Sequence, residues 1–180
     1  MVDMLLNQCA CKIEEVDLFA VSVGPGSFTG LRIGIAAAQG FALATGKPLV
    51  GVSSLHALAM NAFGFSGVIL PVINAFRGEV YTGLYRSIGA GVELVGEESV
   101  VPPDVLSEEI QKTESAFLVL GNGLEIVKSA FDEIGKEKII YGSFASHMPR
   151  ASQVGFLAYE KYKRGCVDDV VVPHYLRVPG

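Results

Sequence analysis

The stretch Gly24-Pro25-Gly26-Ser27-Phe28-Thr29-Gly30-Leu31-Arg32-Ile33-Gly34 decides the fold of this 180-residue chain. Residues 17–23 before it are almost all apolar, which predicts a strand covered on both faces. The alanine-rich residues after it predict a helix over 31–45 that ends at Gly46. Residues 24–30 themselves predict neither helix nor strand. The order is therefore strand, glycine-rich loop and helix, in which backbone N–H groups and the positive end of a helix dipole can surround an anion.

The elements around this stretch occur twice along the chain. The first part is predicted as helix, strand, helix, strand and short helix, over residues 1–12, 17–23, 31–45, 48–52 and 54–60. The second part begins with a meander of antiparallel strands over 68–74, 79–86 and 91–101. It continues as helix, strand, glycine loop, helix, strand and helix, over 102–112, 116–120, 121–123, 124–134, 139–141 and 151–164. The second part thus contains every element of the first, preceded by strands that the first lacks.

This duplication predicts the fold class. Two β-β-β-α-β-α-β-α lobes are the architecture of the actin-like fold, so by analogy we expect an α/β protein with duplicated ribonuclease-H-like lobes. The first lobe is predicted at 1–65 and is incomplete, and the second lobe is predicted at 66–180. Three strands with their hairpins need about 40 residues. We therefore also expect the open reading frame to extend upstream of Met1 and to encode them.

Composition and charge exclude several classes of protein. Apolar residues make up 50% of the chain and charged residues 18%, which excludes a disordered chain. The net charge of −5, without a cluster of basic residues, argues against autonomous binding of nucleic acid. Residues 48–76 carry no charged side chain, but glycine, proline and polar residues divide them into pieces too short to span a membrane. The cysteines form no Cys-x-x-Cys pair and no signal peptide opens the chain, which predicts reduced thiols in the cytoplasm.

The candidate site residues lie in and just after the glycine loop: Gly24, Pro25, Gly26, Ser27, Phe28, Thr29, Gly30, Arg32 and Gly34. The loop is not a P-loop, which would end in Gly-Lys-Ser/Thr, and its glycine spacing differs from the dinucleotide motif GxGxxG. Ser27 or Thr29 is expected to cap the helix. Two roles stay open: tight docking of another helix, and ligand contact in which Arg32 pairs with a carboxylate or phosphate of a partner. The docking surface would consist of Gly30, Gly34, Ala37, Ala38 and Phe41.

The patterns of other catalytic and metal sites do not occur in the sequence. His56, His147 and His174 are isolated, without the spacing that places two imidazoles on one helical face, so no metal is predicted. Ser27 lacks the Gly-x-Ser-x-Gly elbow of a hydrolase. No catalytic residue is therefore predicted.

Two further pairs of reactive side chains also have a structural interpretation. Cys9 and Cys11 lie on opposite sides of the predicted first helix, and buried thiols are the expectation there. Asp168 and Asp169 indicate a solvated loop, because the chain as a whole is acidic. Neither pair is expected to bind a metal.

The chain resembles the TsaB (YeaZ) family of tRNA threonylcarbamoyladenosine biosynthesis proteins in VGPGSFTGLRIG at 23–34, AQGFALA at 38–44, PLVGVSSLHALA at 48–59, GEVY at 78–81 and PHYLR at 173–177. The first of these motifs is uncommonly specific. The resemblance implies a two-lobed, actin-like protein without catalytic chemistry of its own. Such a protein is similar to the family's catalytic paralogue TsaD and pairs with it. TsaD carries the metal and transfers a threonylcarbamoyl group to adenosine 37 of tRNAs that read ANN codons.

The resemblance also implies how the protein assembles. Docking would use the helix at 2–12 and the helix at 31–45, a TsaE-like ATPase would be a further partner, and tRNA would be met only through the complex. Whether the chain forms a homodimer, and whether ATP binds at the partner interface, stays open. The alternative function, from a different class, is that of an ATP-using phosphotransferase or ATPase of the actin-like fold.

The sequence departs from the family pattern in two places. Family members begin with a strand that carries an Ile-Asp-Thr-Ser type motif and continue with two further strands, which this sequence does not show. The family also tends to have Asp-Ala-Arg before Arg-Gly-Glu-Val-Tyr, whereas Asn74-Ala75-Phe76-Arg77 stands here. An asparagine therefore replaces the acidic residue of the pattern.

Overall fold

The structure is a computed structural model of the chain, and it describes residues 2–135, 137–168 and 170–177. Within these residues the α-helices are α1 (Val2–Gln8), α2 (Phe28–Thr45), α3 (Ser54–Ala59), α4 (Pro103–Gln111), α5 (Leu124–Phe131) and α6 (Ala151–Lys163). The strands are β1 (Phe19–Gly24), β2 (Leu49–Ser53), β3 (Val68–Asn74), β4 (Val80–Thr82), β5 (Tyr85–Ile88), β6 (Gly91–Leu94), β7 (Ser99–Val101), β8 (Phe117–Leu120) and β9 (Ile139–Tyr141). Short 3-10 turns occupy Ile13–Glu15, Met60–Ala62 and Phe144–Ser146.

The first sheet consists of β1 and β2, which run parallel. α2 connects the two strands and packs against β1, as a crossover between parallel strands requires. Ile35 of α2 and Leu49 of β2 are buried in a small core, and the rings of Phe19 and Phe41 stack with their centroids 6.0 Å apart. The predicted order of strand, helix and strand is confirmed.

The second sheet is built around β3. This strand is antiparallel to β4 and β5 and parallel to β8, and β8 in turn pairs with β9. β6 pairs with β5, and β7 pairs with β4. The predicted antiparallel meander is therefore present, followed by the predicted parallel strands.

Two strands of the meander are interrupted, which the sequence pattern does not predict. The predicted strand 79–86 is divided into β4 and β5, which keep one register against β3. Gly83 lies at the break, where a Cβ atom would lie 3.1 Å from Leu94 Cδ1 and 3.2 Å from Tyr85 Cε2. The predicted strand 91–101 is divided into β6 and β7, because residues 95–98 bulge and shift the register.

α3 and α6 join the two sheets through the largest core. α6 packs against β1 and β2, and α3 against β3. The predicted apolar face of α6 is confirmed for Val154, Leu157 and Ala158, which are buried, whereas Tyr162 is exposed. None of the helices in the described ranges combines the length and the apolar character that a bilayer crossing needs.

Two predicted helices end early. α1 stops at Gln8 instead of residue 12, since Ala10 takes a left-handed φ of 49°. α5 stops at Phe131 instead of Ile134, because the Ile134 N–H donates to the Phe131 carbonyl and tightens the chain into a turn. The predicted buried thiols are also wrong: Cys9 is exposed beyond the end of α1, and Cys11 is only partly covered.

Candidate functional site

The glycine loop is shorter than predicted, because α2 begins at Phe28 and takes up Phe28–Gly30. The Ser27 hydroxyl oxygen accepts a hydrogen bond from the Gly30 N–H at 3.3 Å, which caps the helix. Gly24 is the last residue of β1 and has a φ of 113°. A Cβ atom at Gly24 would lie 2.9 Å from the His174 carbonyl oxygen, so only glycine fits there. The loop is thus formed by a close backbone contact on one side and a helix cap on the other.

A cleft of about 370 Å³ lies beside the loop, lined by Pro25, Gly26, Ser27, Gly30, Leu31, Ser54, Ile73, Asn74, Phe76, Asn122, His147 and Pro149. The carboxyl ends of β1, β2, β3 and β8 meet at this cleft. Ligands of α/β sheets bind outside the carboxyl ends of parallel strands. Among the described residues, no carboxylate, ammonium or guanidinium group lines this cleft. The imidazole of His147 does line it, and its Nδ1 accepts a hydrogen bond from the Gly121 N–H at 3.1 Å.

The wall of the cleft opposite the glycine loop is the hairpin between β3 and β4. The Asn74 Oδ1 accepts a hydrogen bond from the Phe76 N–H at 2.7 Å, and the Asn74 N–H donates to Asn122 Oδ1 at 3.0 Å. Phe76 and Arg77 both have left-handed φ values, of 60° and 57°. Asn74, which replaces the acidic residue of the family pattern, therefore supports the backbone of this turn.

Arg32 is engaged within the chain. Its Nε–H donates to the Tyr175 hydroxyl at 3.0 Å, and its guanidinium carbon lies 3.9 Å from the centroid of the Phe28 ring. The Phe28 and Tyr175 rings stack at 5.4 Å. The pairing of Arg32 with an anion of a partner stays a prediction.

The residues predicted for docking do not share one open face of α2, since Gly30 and Ala37 are exposed, whereas Gly34, Ala38 and Phe41 are partly covered. Gly34 points at its own sheet, since a Cβ atom there would lie 3.9 Å from Val21 Cγ2. Ala38 packs against the small core, and Phe41 stacks on Phe19, so these two do not form an open surface either. We define the exposed face of α2 as five of its exposed residues that lie one above the other at helical spacing: Thr29, Ile33, Ala37, Gly40 and Ala44.

Sequence reasoning missed the role of residues 170–177, which we call the C-terminal segment. Val171 accepts a hydrogen bond on its carbonyl oxygen from the Gln39 amide at 2.8 Å, and the His174 N–H donates to the Val23 carbonyl at 2.8 Å. Arg177 donates to the Ala75 carbonyl at 3.0 Å and pairs with Glu79. The segment therefore contacts α2, the end of β1 and the β3–β4 hairpin, and the PHYLR motif was its only signal in the sequence.

The loop at Asp168 and Asp169, which the sequence predicts as solvated, contacts β2. Asp168 is exposed, but its Oδ2 accepts a hydrogen bond from the Gly51 N–H at 2.8 Å. Asp169 lies outside the described residues. Across the ranges that the structure describes, three or more His, Cys, Asp or Glu side chains nowhere come close enough together to hold a metal ion.

Comparisons with known proteins extend this description. Residues 1–180 match the family model of TsaD, tRNA N6-adenosine threonylcarbamoyltransferase. The tRNA threonylcarbamoyladenosine biosynthesis protein TsaB of Bacillus subtilis is 37% identical over 180 residues, which are 98% of this chain and 76% of that protein. The chain belongs to the TsaB family. TsaB of Escherichia coli is 35% identical over 140 residues, which are 76% of this chain and 59% of that protein.

A solved structure of the family supports the fold. YeaZ from Pseudomonas aeruginosa superposes with a TM-score of 0.84 at 29% identity, over 98% of this chain and 81% of that one. The predicted family and the actin-like α/β fold are therefore both confirmed. The prediction of lobes at 1–65 and 66–180 is not tested by these comparisons and stays a prediction.

Proposed function

We propose that this chain is the noncatalytic partner subunit of the machinery that forms threonylcarbamoyladenosine at position 37 of tRNA, and that it supports a TsaD-like catalytic paralogue. The observation that carries the proposal is the exposed face of α2 in a chain of the TsaB family. The relatives bear the name of a tRNA threonylcarbamoyladenosine biosynthesis protein. The chain spans 76% of one of them and 59% of the other.

The exposed face of α2 has the properties of a helix-docking surface. Gly40 has no atom within 4 Å of the position of a Cβ, so another helix can approach the backbone closely there. Ile33 is 66% exposed, and Leu43, at the edge of the same face, is 86% exposed. Covering apolar side chains that are this exposed to solvent favours association with a partner. α1 adds Met4 and Leu5, which are both exposed.

The part of the cleft that the described residues form does not supply the groups that the alternative phosphotransferase would need. Phosphoryl transfer uses Mg²⁺ held by carboxylates and cationic side chains around the phosphates. The cleft of this chain is lined by neutral side chains and one imidazole. Chemistry on the nucleotide and the tRNA is then the task of the paralogue.

The remaining partners follow from the same proposal. With a net charge of −5, the chain alone gains little from counterion release on tRNA, so tRNA is bound through the complex. A TsaE-like ATPase joins the assembly, ATP binds at the partner interface, and the assembly works in the cytoplasm. The same face of α2 also suits a second copy of this chain in the absence of the paralogue.

The proposal is tested by titrating the chain against the TsaD-like protein of the same organism in a calorimeter, alongside a tRNA threonylcarbamoylation assay. Ile33→Asp would bury a charge in the interface and is expected to weaken association at least about 10-fold. Ile88→Asp is the control, because Ile88 is 50% exposed but lies on β5. Equal binding by Ile33→Asp and wild type would refute docking through α2. A wild-type chain that neither binds the paralogue nor supports modification would refute the function.

A further inference from the structure

A cavity of about 530 Å³ is lined by residues of the bulge at 95–98 and of the C-terminal segment. It shares no lining residue with the cleft beside the glycine loop. Its volume lies in the range of small-molecule sites. Glu98 lines this cavity, and its side chain is only 6% exposed. None of the described residues that line the cavity is a lysine or an arginine, so the buried carboxylate is the main charged group there.

One oxygen of the Glu98 carboxylate is fully engaged. The Ser53 hydroxyl oxygen caps α3 by accepting hydrogen bonds from the N–H groups of Leu55 and His56, so its own proton is left to donate, and it donates to Glu98 Oε1. The Tyr85 hydroxyl donates to the same oxygen. Burial, followed by the Glu98 charge, raises the pKa of this phenol, which therefore keeps its proton. Two donors on one oxygen suit an ionised carboxylate, which only accepts.

The other oxygen, Oε2, is buried and has no hydrogen-bond partner among the described residues. A buried acceptor without a donor is costly. Nδ1 of His174 lies 3.5 Å from Oε2, whereas charge-assisted N–H···O bonds span about 2.7–2.9 Å. The ring is too distant to saturate Oε2, whichever of its nitrogens carries the proton. Glu98 therefore offers one oxygen to a donor that comes closer.

The surroundings of this oxygen favour a cation with an apolar body. Glu97 adds an exposed carboxylate to the lining. Burial lowers the pKa of His56, so this lining imidazole brings no positive charge at neutral pH. Leu94 and Leu176 supply apolar surface. Because three or more His, Cys, Asp or Glu side chains do not converge anywhere in the described ranges, an ammonium group fits this cavity better than a metal ion.

We propose that this cavity binds a small organic amine, whose ammonium group donates a charge-assisted hydrogen bond to Glu98 Oε2. The Glu97 carboxylate adds a second negative charge, and the apolar body of the amine lies against the leucines of the cavity. The His174 ring turns toward solvent to admit the ligand. Its side chain is 48% exposed, and the backbone hydrogen bond from His174 to the Val23 carbonyl does not involve the ring. The site belongs to the chain itself and does not depend on the proposed partner.

An NMR titration of the isotope-labelled, isolated chain at pH 7.5 tests the site with two pairs of probes. Butylammonium and benzylammonium carry the proposed group, and butanol and benzyl alcohol have nearly the same shape without the charge. All titrations are made at equal ionic strength. Each ammonium ion is expected to bind at least about 10-fold more tightly than its alcohol, as a charge-assisted hydrogen bond implies. The backbone amide signals that shift should be those of residues 96–98 and 174–176.

Two variants separate the buried carboxylate from the general charge of the chain. Glu98→Gln keeps the size of the side chain and removes its charge, so it should reduce the affinity for each ammonium ion to that for the alcohol. Glu93→Gln is the matched control, because it removes an exposed carboxylate of β6 that does not line this cavity. It should bind both ammonium ions as wild type does.

Three results would overturn the proposal. The first is equal affinity of wild type for ammonium ions and alcohols, and the second is a set of shifted signals that lies away from the cavity. The third is equal weakening by Glu98→Gln and Glu93→Gln, which would show a general attraction to a chain with a net charge of −5. The first two are read from wild type, so they decide the proposal even if Glu98→Gln does not fold.

Discussion

Replacing Gly40 by leucine is expected to stabilise this chain and to weaken its docking at the same time. Gly40 lies inside α2 on the exposed face, with no atom within 4 Å of the position of a Cβ. An internal helical glycine costs about 1 kcal/mol relative to a good helix former, because its backbone loses more entropy on folding. Gly40→Leu should therefore add about 0.5–1 kcal/mol to the free energy of unfolding. For a chain of this length, 1 kcal/mol corresponds to about 2–4 °C in Tm.

The same substitution places a branched side chain where the partner helix approaches. Overpacking at a close contact costs about 1–3 kcal/mol, which is an association weaker by about 5- to 150-fold. Calorimetric titration against the TsaD-like paralogue measures the affinity, and thermal unfolding of the isolated chain measures the stability. The two measurements are expected to change in opposite directions, which a general loss of folding cannot produce.

Gly155→Leu is the matched control for this experiment. Gly155 is an exposed glycine inside α6 and also has no atom within 4 Å of the position of a Cβ. It should gain the same stability and keep the affinity of wild type. Unchanged affinity in Gly40→Leu would show that this face is not the docking surface. A lower Tm in Gly40→Leu would contradict the assignment of the face as open.

Three further predictions concern the fold. Ser27→Ala removes the cap of α2 and should cost about 1 kcal/mol in urea unfolding; no loss would mean that the cap is replaced by water. Gly121→Ala should lower the free energy of unfolding by about 3 kcal/mol or more, because φ is 128° and a Cβ would lie 2.0 Å from the Val72 carbonyl oxygen. Gly89→Ala is the control: its φ is 59° and the space around it is open, so it should cost only about 1–2 kcal/mol. Burial lowers the pKa of His56, so the folded protein keeps this ring neutral while the unfolded chain takes up a proton below about pH 6.5. The free energy of unfolding should therefore fall below that pH, by at most about 1.4 kcal/mol per pH unit, and His56→Gln should remove this part of the slope between pH 7.5 and 5.5.

The order of elements could be predicted from the sequence because its signals are local. The apolar run before Gly24, the alanine-rich helix and the glycine after it each act within a few residues, and the structure confirms all three. The divided strands of the meander could not be predicted in this way. Their breaks depend on what lies across the sheet at Gly83 and on the bulge at residues 95–98. Neither feature alters the alternation of side chains along the chain.

The sequence motif identifies α2 but does not indicate which side of this helix is exposed. Glycine and alanine occur on every side of this helix, so the sequence has no hydrophobic period that would separate a covered face from an open one. Gly34 and Gly40 are therefore equivalent in the sequence, and the structure separates them only because Val21 lies opposite Gly34.

The contacts of the C-terminal segment could not be predicted from the sequence either. His174 lies against Glu98 and Val23, which are both far from it in the sequence, and no pattern around PHYLR indicates either residue. Contacts of this kind depend on where two sheets bring their edges together. The family motif could therefore identify the protein, while the side chains that tie its two ends together became apparent only in the folded chain.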